Sequence, residues 1–348
     1  MLLSLGMLPV IHGTPPYGLY EQPPRIGSIP PNRTDTGAVL IYHLATESRL
    51  ADLVRARPEP LVVDYHNVTP ARYFRSWDPH QADDLTLARW QLGSLADRAA
   101  LGLGDSSVNV AELRAAGYAP TAVVPILFDP ARLGGEPDPA TLAALARAKE
   151  GGGADLLFVG RLAPNKAQHD LIKVLVAYRT VYDPAARLHL VGRPAAARYA
   201  TALGDLARRA GVAGAVHIVD QGVPPSALAA YYRTADVLVS CSEHEGFCVP
   251  VLEAFQHGVP VVAHAAAAVP ETVGDAGILV PTKAPLAMAA AIDRVLADAT
   301  LREELVAAGR ARLRSFDVAR SRALLASALS DLVDVAPRAG GGVRAGAG

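Results

Sequence analysis

The chain reads as an α/β protein built from two doubly wound domains. Short apolar runs alternate with helical stretches, the alternation breaks once at a glycine-rich connection and then restarts, and 348 residues are enough for two separate cores. Taken in order, "AVLIYH" (38–43), "LVVDYH" (61–66) and "TAVVPIL" (121–127) have the continuous apolar character of strands buried on both faces. Between them, residues 83–100 and 109–117 carry helical periodicity, the second closed by Gly117 at a C′ position. The connection "LGGEPDPATLAALARAKEGGGADLL" has glycine clusters on both sides of a short helical segment, which places the domain boundary near residue 150. After it come six more strand-like runs, "LLFVG", "RLHLVG", "VHIVD", "DVLVSCS", "PVVAH" and "GILV", most pairs separated by a helix. Two such sheets facing each other leave a cleft lined by the carboxyl ends of their strands, where ligands of these folds bind.

Composition narrows the function. Hydrophobic residues make up 51% and charged residues 19%, as in a globular protein, and the formal net charge of -1 offers no global attraction to nucleic acid. The 2 cysteines, Cys241 and Cys248, have no zinc-ligand spacing and point to a reducing cytosol. No run approaches the roughly 20 apolar residues of a membrane span. The apolar start "MLLSLGMLPVIHG" has no basic n-region and no clear cleavage site, so it reads as a buried strand or a displaced start rather than a leader. The tail 336–348, rich in glycine and alanine, is expected to be disordered.

The chemistry concentrates in "SEHEGFCVPVLEAFQHGVPVVAH" (242–264). A strand ends before it, Pro250 suits the first turn of a helix, and Gly258 suits the position after that helix ends. Glu245 then lies in a loop at a strand's carboxyl end and Glu253 in the first turns of the helix. Gly246 lets the backbone approach a ligand, and amides at a helix start can meet an anion's oxygens. Taken singly, Glu253 complements the helix dipole and Glu245 is a solvated loop residue; taken together, the two also fit an acid/base pair flanking a glycosidic bond. Positive charge sits in "LLFVGRLAPNKAQHDLI": the strand 156–160 ends in Gly160, Arg161 offers a planar fork for phosphate oxygens, and Lys166 follows at a helix start with Asn165 as N-cap. No Asp-x-Asp metal motif occupies a suitable loop.

Glu245 and Glu253 in E-x7-E spacing, with "EGF" after the first and "LEAF…GVPVVA" after the second, resemble glycosyltransferase family 4, and so do the flanking "AAYYRTADVLVSCS" and "VPETVGDAGILV". The likeness runs from about residue 155 to 300. It implies a GT-B fold, two Rossmann-like domains across a cleft, and a retaining transfer of sugar from a nucleotide-diphosphate-sugar donor without a metal or other cofactor. By resemblance, Glu245 holds hydroxyls of the transferred sugar and Glu253 the ribose, the backbone of Gly246, Phe247 and Cys248 faces sugar and diphosphate, and Arg161 and Lys166 bind the diphosphate after Gly160. In the first domain His66, past the end of "LVVDYH", matches a family histidine that lines the sugar site, so His66 and Glu245 are the catalytic candidates. "PARYFRSWDP" (70–79) reads as a helix start packing its aromatics, with an acceptor or a membrane surface as the other option. The first strand–glycine loop–helix unit usual in the family is not found in residues 1–37.

These readings give a domain plan of 1–150 on the acceptor side, 151–312 binding the donor, 313–335 as a helix crossing back to the first domain, and a tail. The acceptor is unidentified: a glycan, a lipid-linked or a small molecule. A cytoplasmic enzyme is expected, with peripheral contact at the inner face of the membrane left open. The alternatives are a catalytically silent sugar-nucleotide-binding protein on the same architecture, and an epimerase, which the family pattern argues against.

Overall fold

The computed structural model describes residues 39–332, so the expectations for the opening segment and for the tail lie outside the described residues. The first sheet contains β1 (Leu40–Leu44), β2 (Leu61–Tyr65), β3 (Ala99–Gly104) and β4 (Thr121–Val123), all parallel and in chain order. The second contains β5 (Asp155–Val159), β6 (Arg187–Val191), β7 (Val216–Val219), β8 (Val237–Ser240), β9 (Val261–His264) and β10 (Ile278–Val280) in the order β10-β9-β8-β5-β6-β7. Its order reverses between β5 and β8, which makes their carboxyl ends the switch point where open α/β sheets bind ligands. These are two Rossmann-like sheets of the GT-B arrangement.

Strands buried on both faces explain the unbroken apolar runs. In β2, Leu61, Val63 and Tyr65 face one core while Val62 faces another, and all four have no solvent exposure. After the short α1 (Leu50–Arg55), the expected helix over 83–100 is α2 (Pro79–Leu95), started by the Asp78 carboxylate accepting from the Gln81 amide at 3.0 Å, and the last two residues of that expected span belong to β3 instead. β3 reads "AALGLG", with low intrinsic strand preference, and its glycines are a packing requirement. A Cβ on Gly104 would lie 2.9 Å from Asn109 Cβ on α3 (Ser107–Ala115).

Helix α4 (Pro139–Lys149) packs on α7 (Pro225–Thr234), and Lys149 Nζ reaches the Asp236 carboxylate at 2.8 Å. Phe128 and Leu133 already join the core of the second domain. The chain therefore changes domain after β4, earlier than the boundary near residue 150 that its glycine clusters suggest. Glycine marks where a chain is free to bend, whereas apolar contact decides which domain owns a helix. At the other end, α9 (Val269–Val273) and α10 (Pro285–Ala297) precede α11 (Ala299–Leu313), which lies against α8 (Val249–His257). Helix α12 (Val318–Leu329) then lays Leu325 and Leu329 on Val62, Leu101 and Leu103 of the first sheet and on Val124 just past β4. Phe74 of the aromatic segment is buried, and Trp77 meets Tyr199 of α6 (Ala197–Arg209) edge-on, with ring centroids 5.1 Å apart.

Candidate functional site

The switch point collects the residues singled out in the second domain. Gly160 directly follows β5 with φ at +146°, a conformation that disfavours any side chain, while its amide donates to the Val191 carbonyl. Arg161 is exposed, and its carbonyl accepts from the Gln168 side-chain amide at 2.9 Å, which holds the loop in shape. Lys166 closes a 3-10 turn (Pro164–Lys166), and Ala167, left-handed at φ 50°, leads into α5 (Gln168–Val181). Asn165 does not cap that helix. Its side-chain amide donates to the His244 carbonyl at 3.1 Å and its own carbonyl accepts from the Glu243 amide at 2.9 Å, so it staples the loop after β5 to the loop after β8. The 3-10 turn carries Asn165 away from the helix start, which is why a correct residue type serves a different end.

That staple brings Lys166 and Glu245 together as an ion pair, Glu245 being 8% exposed. Glu253, on α8, lies apart from this pair. It is buried, its Oε2 accepts from the Tyr232 hydroxyl at 2.7 Å, and Arg132 Nη1 stands 3.9 Å from Oε1. Burial pushes the Glu253 carboxyl above its ordinary range, with the Tyr232 hydrogen bond and Arg132 acting against it. The two acids thus have separate partners. Cys248 precedes α8 with φ at +80°, a sparsely populated conformation of the kind found at ligand sites, and burial pushes its thiol up. The Phe247 ring is buried edge-on to Phe316, and its carbonyl accepts from the Thr272 hydroxyl, so that carbonyl is committed within the protein.

Across the cleft, His66 follows β2. Its Nδ1 lies 3.1 Å from both oxygens of Asp105, which is 3% exposed, and its Nε2 lies 2.9 Å from His43 Nδ1 and 3.3 Å from Asp64 Oδ2. Burial alone would lower the His66 pKa, but its bonds to Asp105 and Asp64 outweigh that and raise it to about 10. Asn67, at φ 69°, donates its side-chain amide to Asn109 Oδ1, and Asn109 in turn donates to the Tyr65 carbonyl. Gly246 sits against this pair: a Cβ there would come within 2.6 Å of Asn67 Cβ. The domains also meet where the Glu271 carboxylate accepts from the Ser107 amide at 2.9 Å and where His244 Nε2 lies 3.6 Å from Glu112. Burial works against the Glu112 carboxylate, but hydrogen bonds from His244 and Tyr65 hold it down to about 2.

Asp105, Asn109, Glu112, Arg132 and Tyr232 were not singled out from sequence. Three of them lie at the end of β3 or on α3, after the strand that its alanines and glycines concealed. Tyr232 lies within "AAYYRTAD", a stretch that carries part of the family resemblance but gives that tyrosine no role.

Residues 146–312 match the family described as Glycosyl transferases group 1. That match lies within the second domain, from the end of α4 to the end of α11. D-inositol 3-phosphate glycosyltransferase of Geodermatophilus obscurus is 39% identical over 165 residues, which is 45% of this chain and 35% of that protein. The corresponding protein of Thermomonospora curvata is 38% identical over 165 residues, covering 45% and 38%. The matched stretch thus spans little more than a third of the length of these curated relatives. Among solved structures, Anabaena HepE in complex with UDP-glucose superposes with a TM-score of 0.65 at 22% identity, covering 78% of this chain and 72% of that one. The trehalose-6-phosphate synthase OtsA gives 0.67 at 16%, covering 84% and 71%. At such identities the likeness speaks for the fold, which is GT-B.

Proposed function

We propose that this chain moves a sugar from a nucleotide-diphosphate-sugar donor onto an acceptor with retention of configuration. The observation that carries the reading is the meeting of Lys166 and Glu245 at the switch point of the second sheet, inside the segment that matches a glycosyl transferase family. In this reading Arg161 and Lys166 meet the diphosphate, Lys166 exchanging Glu245 for phosphate oxygens and leaving Glu245 to accept from sugar hydroxyls. Glu253, held by Tyr232, takes the ribose, and His66 orients the sugar from the first domain. The acceptor oxygen bonds to the anomeric carbon as the bond to phosphate breaks, and the leaving phosphate oxygen takes the acceptor's proton on the same face. The protein's own cations stabilise the departing diphosphate, so no metal is needed at that group. Because HepE was solved with UDP and UDP-glucose, uridine donors come first. The acceptor would be a glycan, a lipid-linked or a small molecule, met in the cytoplasm or at the inner face of a membrane; among the described residues no helix is long and apolar enough to cross one.

Calorimetry across sugar nucleotides tests the reading. Arg161→Ala should weaken nucleoside-diphosphate affinity tenfold or more, equivalent to about 1.4 kcal/mol; unchanged affinity would remove its phosphate role. Glu245→Gln should harm transfer more than diphosphate binding, and equal losses in both would contradict its assignment to the sugar. Donor binding with neither transfer nor slow hydrolysis would favour a catalytically silent sugar-nucleotide-binding protein.

A further inference from the structure

Parallel pairing of β1 with β2 sets His43 opposite Asp64, and the period of two along the strand direction brings His66 to the side of Asp64. Three potential ligand atoms converge there: His43 Nδ1, Asp64 Oδ2 and His66 Nε2, at mutual distances of 2.9, 3.0 and 3.3 Å. His66 Nδ1 faces both oxygens of Asp105, which leaves Nε2 as the ring nitrogen facing His43 and Asp64. A shared proton satisfies such a cluster, and so does a metal ion held between its members. Donor atoms bound at about 2.0–2.1 Å to one zinc-like ion stand roughly 2.9–3.4 Å apart in octahedral or tetrahedral geometry, which is the spacing found. A buried carboxylate holding the far nitrogen of a ligand histidine is also the usual outer-shell partner of such sites.

We propose that His43, Asp64 and His66 form a site for a first-row divalent cation of the zinc class, with Asp105 as the positioning residue behind His66. Two imidazoles and one carboxylate suit such an ion better than magnesium or calcium, which favour all-oxygen sets. The His43 side chain is 65% exposed, so the ion has an entry path, and three protein ligands leave a coordination position for water or a ligand oxygen. This departs from the expectation, drawn from sequence, that the protein uses no metal. The donor contacts of the second domain do not depend on it, but an occupied site would withdraw His66 Nε2 from the sugar and replace the orienting role assigned to His66 above.

The test is titration of chelator-stripped, tag-free full chain with Zn²⁺ against a chromophoric chelator, repeated with Co²⁺ to read its visible absorption. One equivalent should bind. His43→Ala, Asp64→Asn and His66→Ala should each weaken binding at least tenfold, Asp105→Asn should weaken it about 10–100-fold, and His80→Ala on exposed α2 should leave it unchanged. Circular dichroism separates loss of the site from loss of the fold. Absence of stoichiometric binding, or binding that survives a His43→Ala/His66→Ala double variant that is still folded, overturns the proposal and leaves a proton as the bridging cation. No donor is present in the titration, so its failure does not count against the donor reading.

Discussion

Asp155, at the amino end of β5, is 3% exposed and holds Arg187 Nε at 2.7 Å and His189 Nε2 at 3.0 Å, with Lys149 Nζ 3.7 Å away. Burial works against its charge, but hydrogen bonds from His189 and Arg187 win and hold its carboxyl down to about 2. Its folded pKa is thus below the unfolded value of about 3.9, so the stability it contributes is complete above about pH 4 and is lost as pH falls through about 2. Asp155→Asn should cost about 3 kcal/mol near neutrality, because it strands the buried Arg187 guanidinium. It should also flatten the fall in stability between pH 4 and 2. Urea denaturation across pH measures both, and parallel curves for the two proteins would refute the assignment. At this scale the site was partly readable. Glu245, Glu253 and Lys166 stand out because a glycine or a helix start lies beside them, whereas contacts of the fold decide what they meet: Asn165 bridges two loops across 79 positions and brings Lys166 to Glu245, and Tyr232 reaches Glu253 across 21.

Among the elements, α12 is the one whose role depends most on distant chain. It buries Leu325 and Leu329 on the first sheet although it follows the whole second domain. Leu329 has no solvent exposure, so Leu329→Ala should cost about 2–5 kcal/mol. Both tryptophans, Trp77 and Trp90, precede β4 in the chain and Trp77 packs on Tyr199 of α6, so tryptophan fluorescence during urea unfolding follows the first domain and its contact with the second. An unchanged fluorescence midpoint would mean that α12 contributes nothing to that sheet. The strands of the second domain were legible because each is a short, mostly apolar run between turn residues. β3 was not, since its glycines answer to the approach of α3, a neighbour the strand's own pattern does not announce.

For the whole molecule, the decisive contact is the one between domains at Gly246, Asn67 and Asn109. Gly246→Ala would place a methyl 2.6 Å from Asn67 Cβ, so the loops must part. Small-angle scattering should show a larger radius of gyration for the variant with circular dichroism unchanged; identical scattering would mean that the loops absorb the methyl without opening. Apolar periodicity, proline at a helix start and glycine after a helix end are local properties of the chain. The α/β class, two sheets and the donor-side loops were therefore readable directly. Which helix belongs to which domain, which carboxylate answers which cation, and the meeting of His43, Asp64, His66 and Asp105 depend on contacts between segments far apart in sequence. Only packing of the two sheets brings those segments within a few ångströms of one another.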